Sequence, residues 1–226
     1  MPKISVLLPT YNRAGFLREC ITSVLDQSFS DYELVIIDDG STDHTKDILK
    51  EFCGRFKYIY QPNSGISAAR NRCLAESSAP LVSFIDSDDV WCKDKLALQY
   101  AFLEDHPEKD IVFSDYENFL DGADLTSENL RRELNFHSKK LMASALIKRS
   151  LFERFGNFAV DLKTGEDSEW VMRIALHGVD TGCCIDSLGY YRRLHSSNSI
   201  LSKTTTTKDV LRVLARSVRK NFKKGE

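Results

Sequence analysis

The sequence predicts an α/β fold: a Rossmann-like, mostly parallel central sheet flanked by helices, with a smaller second region. Three observations carry this prediction. Short apolar runs alternate with segments of helical period through the first 105 residues. Several runs stop abruptly at Pro-Thr or Asp-Asp, as strands do at the ligand-binding rim of an open sheet. The clearest run, Leu81-Val82-Ser83-Phe84-Ile85, is followed at once by Asp86, Asp88 and Asp89.

Taken in order, residues 4–8 form a buried first strand ended by Pro9 and Thr10, and Tyr11, Asn12 and Arg13 form a loop. Phe16, Leu17, Cys20, Ile21, Val24 and Leu25 then recur at helical spacing. Residues 34–37 are a second strand, ended by Asp38 and Asp39, and Ser41 or Thr42 caps a helix over 45–52. Residues 58–60 are a third strand, and the turn at 62–65 leads into a helix through Ala68, Ala69 and Leu74. The run at 81–85 is the fourth strand. Carboxylates as close as Asp86, Asp88 and Asp89 repel one another, and a divalent cation relieves the repulsion. Hard oxygen ligands favour Mg²⁺ or Mn²⁺. These residues alone leave a second reading open, a polar turn in which Asp caps a helix over 91–103.

The pattern changes after residue 105. Residues 110–113 read as a short strand, and 114–140 as long polar loops with one helix near 127–134. Residues 141–147 read as a strand and 150–155 as a short helix ended by Gly156. Another helix opens at 164–167, with Trp170, Val171, Ile174 and Ala175 on its apolar face. Residues 183–185 and 189–191 read as two short strands, with Arg192, Arg193 and His195 in a following loop. The organisation is therefore 1–105, 106–200 and a basic tail, 201–226.

Composition excludes several classes. The chain has 226 residues, 42% of them apolar, enough for a sizeable core. A net charge of −2 offers no basic field for nucleic acid. The six cysteines form no CxxC pair, which fits buried thiols in a reducing compartment rather than a disulfide framework. No loop reads GxGxxG or GxxxxGK[ST]. No signal-peptide pattern precedes the first strand, and no apolar run nears the roughly 20 residues that cross a bilayer. The expected location is cytoplasmic. The tail 208–226 has two readings, a helix docked on the body or a peripheral contact with the inner face of a membrane.

Six segments in register carry a resemblance: SVLLPTYNR at 5–13, VIIDDGSTD at 35–43, NSGISAARN at 63–71, FIDSDD at 84–89, TGEDSEW at 164–170 and YRRLHSSNS at 191–199. Together they resemble the family 2 inverting glycosyltransferases of GT-A fold. The resemblance implies a nucleotide-sugar donor, UDP-sugar by default, and a glycan or lipid-linked acceptor in polysaccharide or glycan biosynthesis. It implies that 1–105 bind the donor and that 106–200 carry the acceptor side and the base. Pro9, Thr10 and Tyr11 would border the nucleotide, with Asp39 accepting from the base edge and Arg70 near base or diphosphate. Asp86 and Asp88 match the DxD pair. Asp88 would meet Mn²⁺ or Mg²⁺, Asp86 the ribose or the ion's waters, and Asp89 would support them. Asp167 matches the catalytic base. His195 would complete the metal site, and Arg192, Arg193 and Glu166 would serve the diphosphate or support the site.

Each residue also has a plainer reading. Asp38 and Asp39 suit a turn, Glu166 and Asp167 a helix dipole, and His195 a solvated surface. Arg70 would pair with a neighbouring carboxylate, and Trp91 and Trp170 would anchor packing. Two rival functions follow, a nucleotidyltransferase and a non-catalytic nucleotide-sugar-binding subunit. Pro9-Thr10-Tyr11-Asn12 stands where the first would need a basic, Gly-rich loop.

Overall fold

The computed structural model describes residues 1–120, 141–162 and 165–195. The helix expected near 127–134, Thr164, the stretch after His195 and the tail 208–226 lie outside the described residues.

Strands β1 (Ile4–Thr10), β2 (Tyr32–Asp38), β3 (Lys57–Tyr60) and β4 (Leu81–Phe84) run parallel. All seven residues of β1 are buried, because helices cover both faces of the sheet. Side chains alternate accordingly. Ile4, Val6 and Leu8 pack with Leu17, Ile21 and Val24 of α1 (Ala14–Leu25). Leu7 points the other way, into a layer with Ala69, Cys73 and Leu74 of α3 (Ile66–Ala75). A short α2 (Thr45–Lys50) lies between β2 and β3 in sequence and adds Leu49 to the first layer. β1 lies between β2 and β4. Strand order reverses there, so the carboxyl ends of β1, β2 and β4 open a crevice.

The second region extends the same sheet. It contains β5 (Val90–Trp91), α4 (Lys95–Asp105), β6 (Ile111–Leu120), a 3-10 turn (Met142–Ser144) and β7 (Ala145–Lys148). Helices α5 (Ser150–Phe155) and α6 (Glu166–Leu176) and strand β8 (Cys184–Leu194) follow. Among the described residues the sheet has eight strands in the order β3-β2-β1-β4-β7-β6-β8-β5. β7 is antiparallel to β4 and meets it through two pairs, Leu81 with Lys148 and Val82 with Ile147. β6 and β8 are parallel, whereas β5 is antiparallel to β8.

Four elements differ from the sequence reading. Residues 114–120 are not loop but the continuation of β6, because β8 pairs with it as far as Leu120 and Leu194. Tyr116 stacks on Tyr190 at 5.3 Å, so an outwardly polar segment is held by its alternate side chains. The two short strands near 183–191 are one strand with a register shift, and Arg192 and Arg193 lie within it. A Cβ at Gly189 would fall 1.9 Å from Ser114 Oγ, so only glycine lets β8 pass so close to β6. Trp91 belongs to a strand rather than a helix, and residues 142–144 are a 3-10 turn before β7. All six cysteines are free; Cys20 and Cys73 are buried, but Cys53 is exposed and the remaining three are half-buried. Cys183 and Cys184 pack toward opposite layers of the core. Among the described residues no helix is long and apolar enough to cross a membrane.

Lys95 is buried at the start of α4 and donates to Ser83 Oγ at 3.0 Å and Gln99 Oε1 at 2.9 Å. Its amine also lies 4.1 Å from the centre of the Trp91 ring. Burial pulls its pKa from 10.5 down to about 7. The unfolded chain therefore binds the proton more readily between those values, and stability from this site rises with pH across that window, by about 1.4 kcal/mol per pH unit at most. Urea denaturation at pH 7 and pH 10 tests this: wild type gains stability over the interval, and Lys95→Met lacks that share of the gain.

Candidate active site

The crevice is built from strand ends. Pro9 and Thr10 close β1, and Thr10 Oγ1 is buried with no hydrogen-bond partner among the described residues. Tyr11 follows at 44% exposure. Asn12 takes a left-handed backbone, φ 50°, which Asn tolerates better than bulkier residues. Its N–H donates to Ser41 Oγ at 2.9 Å, and its Oδ1 accepts from the Thr42 N–H at 2.8 Å. The loops after β1 and β2 are thereby tied together.

β2 ends in two buried carboxylates with different tasks. Asp38 accepts from the Ser41 N–H at 2.9 Å and from the Tyr58 hydroxyl at 3.2 Å. Burial, with the Asp38 charge second, pushes Tyr58 up to about 12. Asp39 accepts from Gln61 Nε2 at 2.7 Å and from the N–H groups of Ser64 and Gly65, each at 2.9 Å. It thus fixes the turn before α3. A Cβ at Gly40 would lie 2.6 Å from the Asn63 backbone nitrogen, so the same turn requires glycine there.

The three carboxylates after β4 face three environments. Asp86 has a side chain 41% exposed, with Oδ1 accepting from Arg70 at 2.8 Å. Asp88 Oδ2 lies 3.0 Å from His195 Nε2 and 3.4 Å from Arg13 Nε. Burial works against the Asp88 charge, but the His195 hydrogen bond and the Arg13 charge outweigh it and hold the carboxyl below its ordinary value. Asp89 is buried and accepts from the Arg193 N–H at 3.0 Å. Burial first, then the charges of Asp88 and Asp86, raise it well above the usual carboxylate range. Arg193 lies within β8, its Nε donating to the Asp88 carbonyl at 2.9 Å and Nη2 paired with Glu19. Its guanidinium lies between the rings of Phe16 and Phe119, at 5.2 and 4.5 Å. Arg192, also in β8, is half-buried and lowers Asp89 through its charge.

Arg70 connects this rim to α6. It is 4% exposed, with Nη1 donating to Glu166 Oε1 at 2.5 Å and Nη2 to Asp86. Burial opposes its charge, but Asp86, Glu166 and Asp167 hold the guanidinium more basic than usual. Glu166, buried in turn, is raised by desolvation in spite of Arg70. Asp167 is the next residue of that first turn, half-buried, its Oδ1 accepting from the Ser168 N–H at 2.6 Å. Trp170 anchors α6. It is fully buried, stacks on Phe152 at 4.2 Å and donates to the Gly156 carbonyl at 2.8 Å. The crevice therefore brings together Pro9, Thr10, Tyr11, Asp39, Asp86, Asp88, Asp89, Arg193 and His195. Arg70 and Glu166 link it to Asp167.

The model of the family described as "Glycosyl transferase family 2" matches residues 5–160. The chain belongs to glycosyl transferase family 2.

Relatives agree with that membership. A Bacillus subtilis glycosyltransferase, TuaG, named for teichuronic acid biosynthesis, is 42% identical over 106 residues, covering 45% of this chain and 42% of its own. Glycosyltransferase GlyA of Streptococcus pneumoniae is 39% identical over 120 residues, covering 52% of this chain and 17% of its own. Each match therefore spans less than half of the relative. Among solved structures, TarS 1-349 of S. aureus in complex with UDP-GlcNAc superposes with a TM-score of 0.76 at 24% identity, over 96% of this chain and 66% of the 1-349 chain. Mannosyltransferase PcManGT of Pyrobaculum calidifontis, in complex with GDP-Man and Mn2+, gives 0.63 at 20% identity, over 96% of this chain and 68% of its own. These likenesses establish the GT-A fold for this family 2 chain.

Two site features were not assigned from sequence. Arg13 stands in a quoted motif but received no role; the available signal was a cation at a helix start, where the dipole disfavours it. The Arg70–Glu166 pair joins residues 96 positions apart, and no local pattern encodes that. Breaking a buried pair from one side leaves the other charge stranded. Arg70→Met is expected to cost about 3–5 kcal/mol in urea denaturation, and adding Glu166→Leu to recover part of it.

Proposed function

We propose that this chain is a metal-dependent, inverting glycosyltransferase. It moves a sugar from a nucleoside diphosphate donor, UDP-sugar by first choice, to a hydroxyl of a glycan or lipid-linked acceptor. One observation carries the reading: carboxylates suited to a donor are tied through one buried arginine to Glu166, whose neighbour in the same helical turn, Asp167, is suited to take a proton. Family membership supports the reaction class. The UDP-GlcNAc in TarS and the GDP-Man and Mn2+ in PcManGT support the donor class and the cation. The name of TuaG supports a polysaccharide setting.

The residues fit a divalent ion. Asp88 and His195 would hold it, Asp86 would reach its waters, and Asp89 would support them from below. Crowding of the three carboxylates, which burdens Asp89, is what a dication relieves. Among the described residues no group of three or more His, Cys, Asp or Glu side chains is placed to hold an ion without other ligands. Mn²⁺ and Mg²⁺ ordinarily fill their shells from waters and substrate phosphates. When bound, such an ion supplies neutralising charge for the departing diphosphate.

The chain's own residues do the rest. Tyr11 offers a ring to the base. Asp39 already accepts three hydrogen bonds, which leaves about one acceptor position for a base N–H. Thr10 Oγ1, without a hydrogen-bond partner among the described residues, borders the same pocket. Asp86 Oδ2 is available to a ribose hydroxyl while Oδ1 stays on Arg70. Asp167 Oδ2 takes the proton of the acceptor hydroxyl as that oxygen bonds to the anomeric carbon. The bond from that carbon to the diphosphate oxygen breaks on the opposite side. One displacement inverts the centre, and the nucleoside diphosphate leaves with the electron pair.

A base of this kind contributes about 10²–10⁴-fold to rate. Asp167→Asn is therefore expected to lower kcat by that factor while donor binding, read by thermal shift, is retained. Asp88→Asn is expected to lose the extra stabilisation that Mn²⁺ gives with UDP, which for wild type at 100 times Kd is about 2.7 kcal/mol. Transfer that survives both substitutions, assayed on a panel of nucleotide sugars, overturns the proposal.

A further inference from the structure

Arg13 carries a charge that the proposed reaction has not used. Its backbone is fixed on both sides. The Arg13 N–H donates to Thr45 Oγ1 at 3.1 Å, and Asn12 before it is locked to the loop after β2. Its carbonyl starts α1, accepting from the N–H groups of Phe16 and Leu17 at 3.0 Å each. The side chain is less constrained. It is 23% exposed and makes two contacts among the described residues, the 3.4 Å approach of Nε to Asp88 and a 3.2 Å bond from Nη1 to the Asn12 carbonyl.

A cation at the start of a 12-residue helix works against the helix dipole. Asp88 supplies the compensation. Yet Asp88 Oδ2 also faces His195, and this is the carboxylate that a divalent ion would use. A dication arriving there repels the guanidinium that it replaces. Two other arginines of the rim, Arg70 and Arg193, are poor recipients for a phosphate. Arg70 and Arg193 are each 4% exposed and committed to carboxylates. Arg13 keeps N–H donors unused among the described residues, a fixed root and a partly exposed head.

We propose that Arg13 is an exchangeable counter-ion: it neutralises Asp88 in the empty site and turns to the donor's diphosphate when a divalent cation takes that carboxylate. This rests on the glycosyltransferase reading. The guanidinium moves from one oxyanion to another, with no bond made or broken. Arg13 thus keeps Asp88 compensated before the donor arrives and adds a charge-assisted hydrogen bond afterwards. It discriminates nucleoside diphosphate from nucleoside.

The two halves of the exchange have opposite signs, which a merely structural role does not produce. In Arg13→Gln, Mn²⁺ titrated into nucleotide-free protein is expected to bind several-fold tighter, because no competing cation must leave Asp88. Calorimetry with UDP in the presence of Mn²⁺ is expected to show about tenfold weaker binding, with uridine unchanged. GDP and guanosine are run in parallel. Arg13→Lys, which keeps the charge, is expected to restore the wild-type order of both. Mn²⁺ and UDP affinities that move in the same direction, or a UDP affinity that does not move, overturn the inference alone. Wild-type protein that binds neither Mn²⁺ nor any nucleoside diphosphate overturns the glycosyltransferase reading and this inference with it. Circular dichroism of each variant separates these results from loss of fold.

Discussion

The arrangement depends on one buried arginine shared between two carboxylates. Arg70 leaves α3 with its guanidinium out of water, and its hydrogen bonds reach Asp86 on one side and Glu166 on the other. A desolvated charge is tolerated only when it is paired with good geometry. That requirement fixes the distance between the end of β4 and the first turn of α6. Phe84 and Phe158 flank the same guanidinium, their ring centres 5.9 and 5.7 Å from it, and keep solvent away. The ion pair and the aromatic layer beneath it therefore act together. The packing makes the charge expensive to unpair, and the pairing holds the helix at the rim.

The first four strands were legible in the sequence because their signals are local. Each of the first four strands is an apolar run with a polar stop, and each stop falls at the same end of a parallel sheet. The plainer reading of Arg70, a pair with a neighbouring carboxylate, is what the structure contains. Trp170 likewise proves to be a packing anchor. The second region was less legible because its signals are pairwise. β6 from Ser114 to Leu120 has too many polar residues to read as a strand, and it becomes one only through its register with β8. Gly189 read as a strand start, but its purpose is to let Ser114 pass. Arg13 reads from sequence only as a loop residue, because its partner Asp88 lies 75 positions away.

Like charge is distributed unevenly over the crevice. Asp86 stays half in water, Asp88 is shared between His195 and Arg13, and Asp89 is buried beneath them. The Arg193 N–H of β8 holds the Asp89 carboxylate and its Nε holds the Asp88 carbonyl, so the acidic turn is pinned by a strand far away in sequence. The cost of crowding is thus concentrated on the carboxylate that solvent cannot reach, while His195 and Arg13 favour the charge on Asp88.

The ladder between β4 and β7 is two residue pairs long, with the Ser83 hydroxyl adding one bond to the Ala145 carbonyl. β1 and β2, by comparison, pair along seven residues. Side chains rather than backbone therefore carry the join at that seam: Arg149 donates to the Ala79 and Leu74 carbonyls, Asn71 to the Phe158 carbonyl and Arg70 to Glu166. A strand added to a sheet by so short a ladder is held by what lies above and below it.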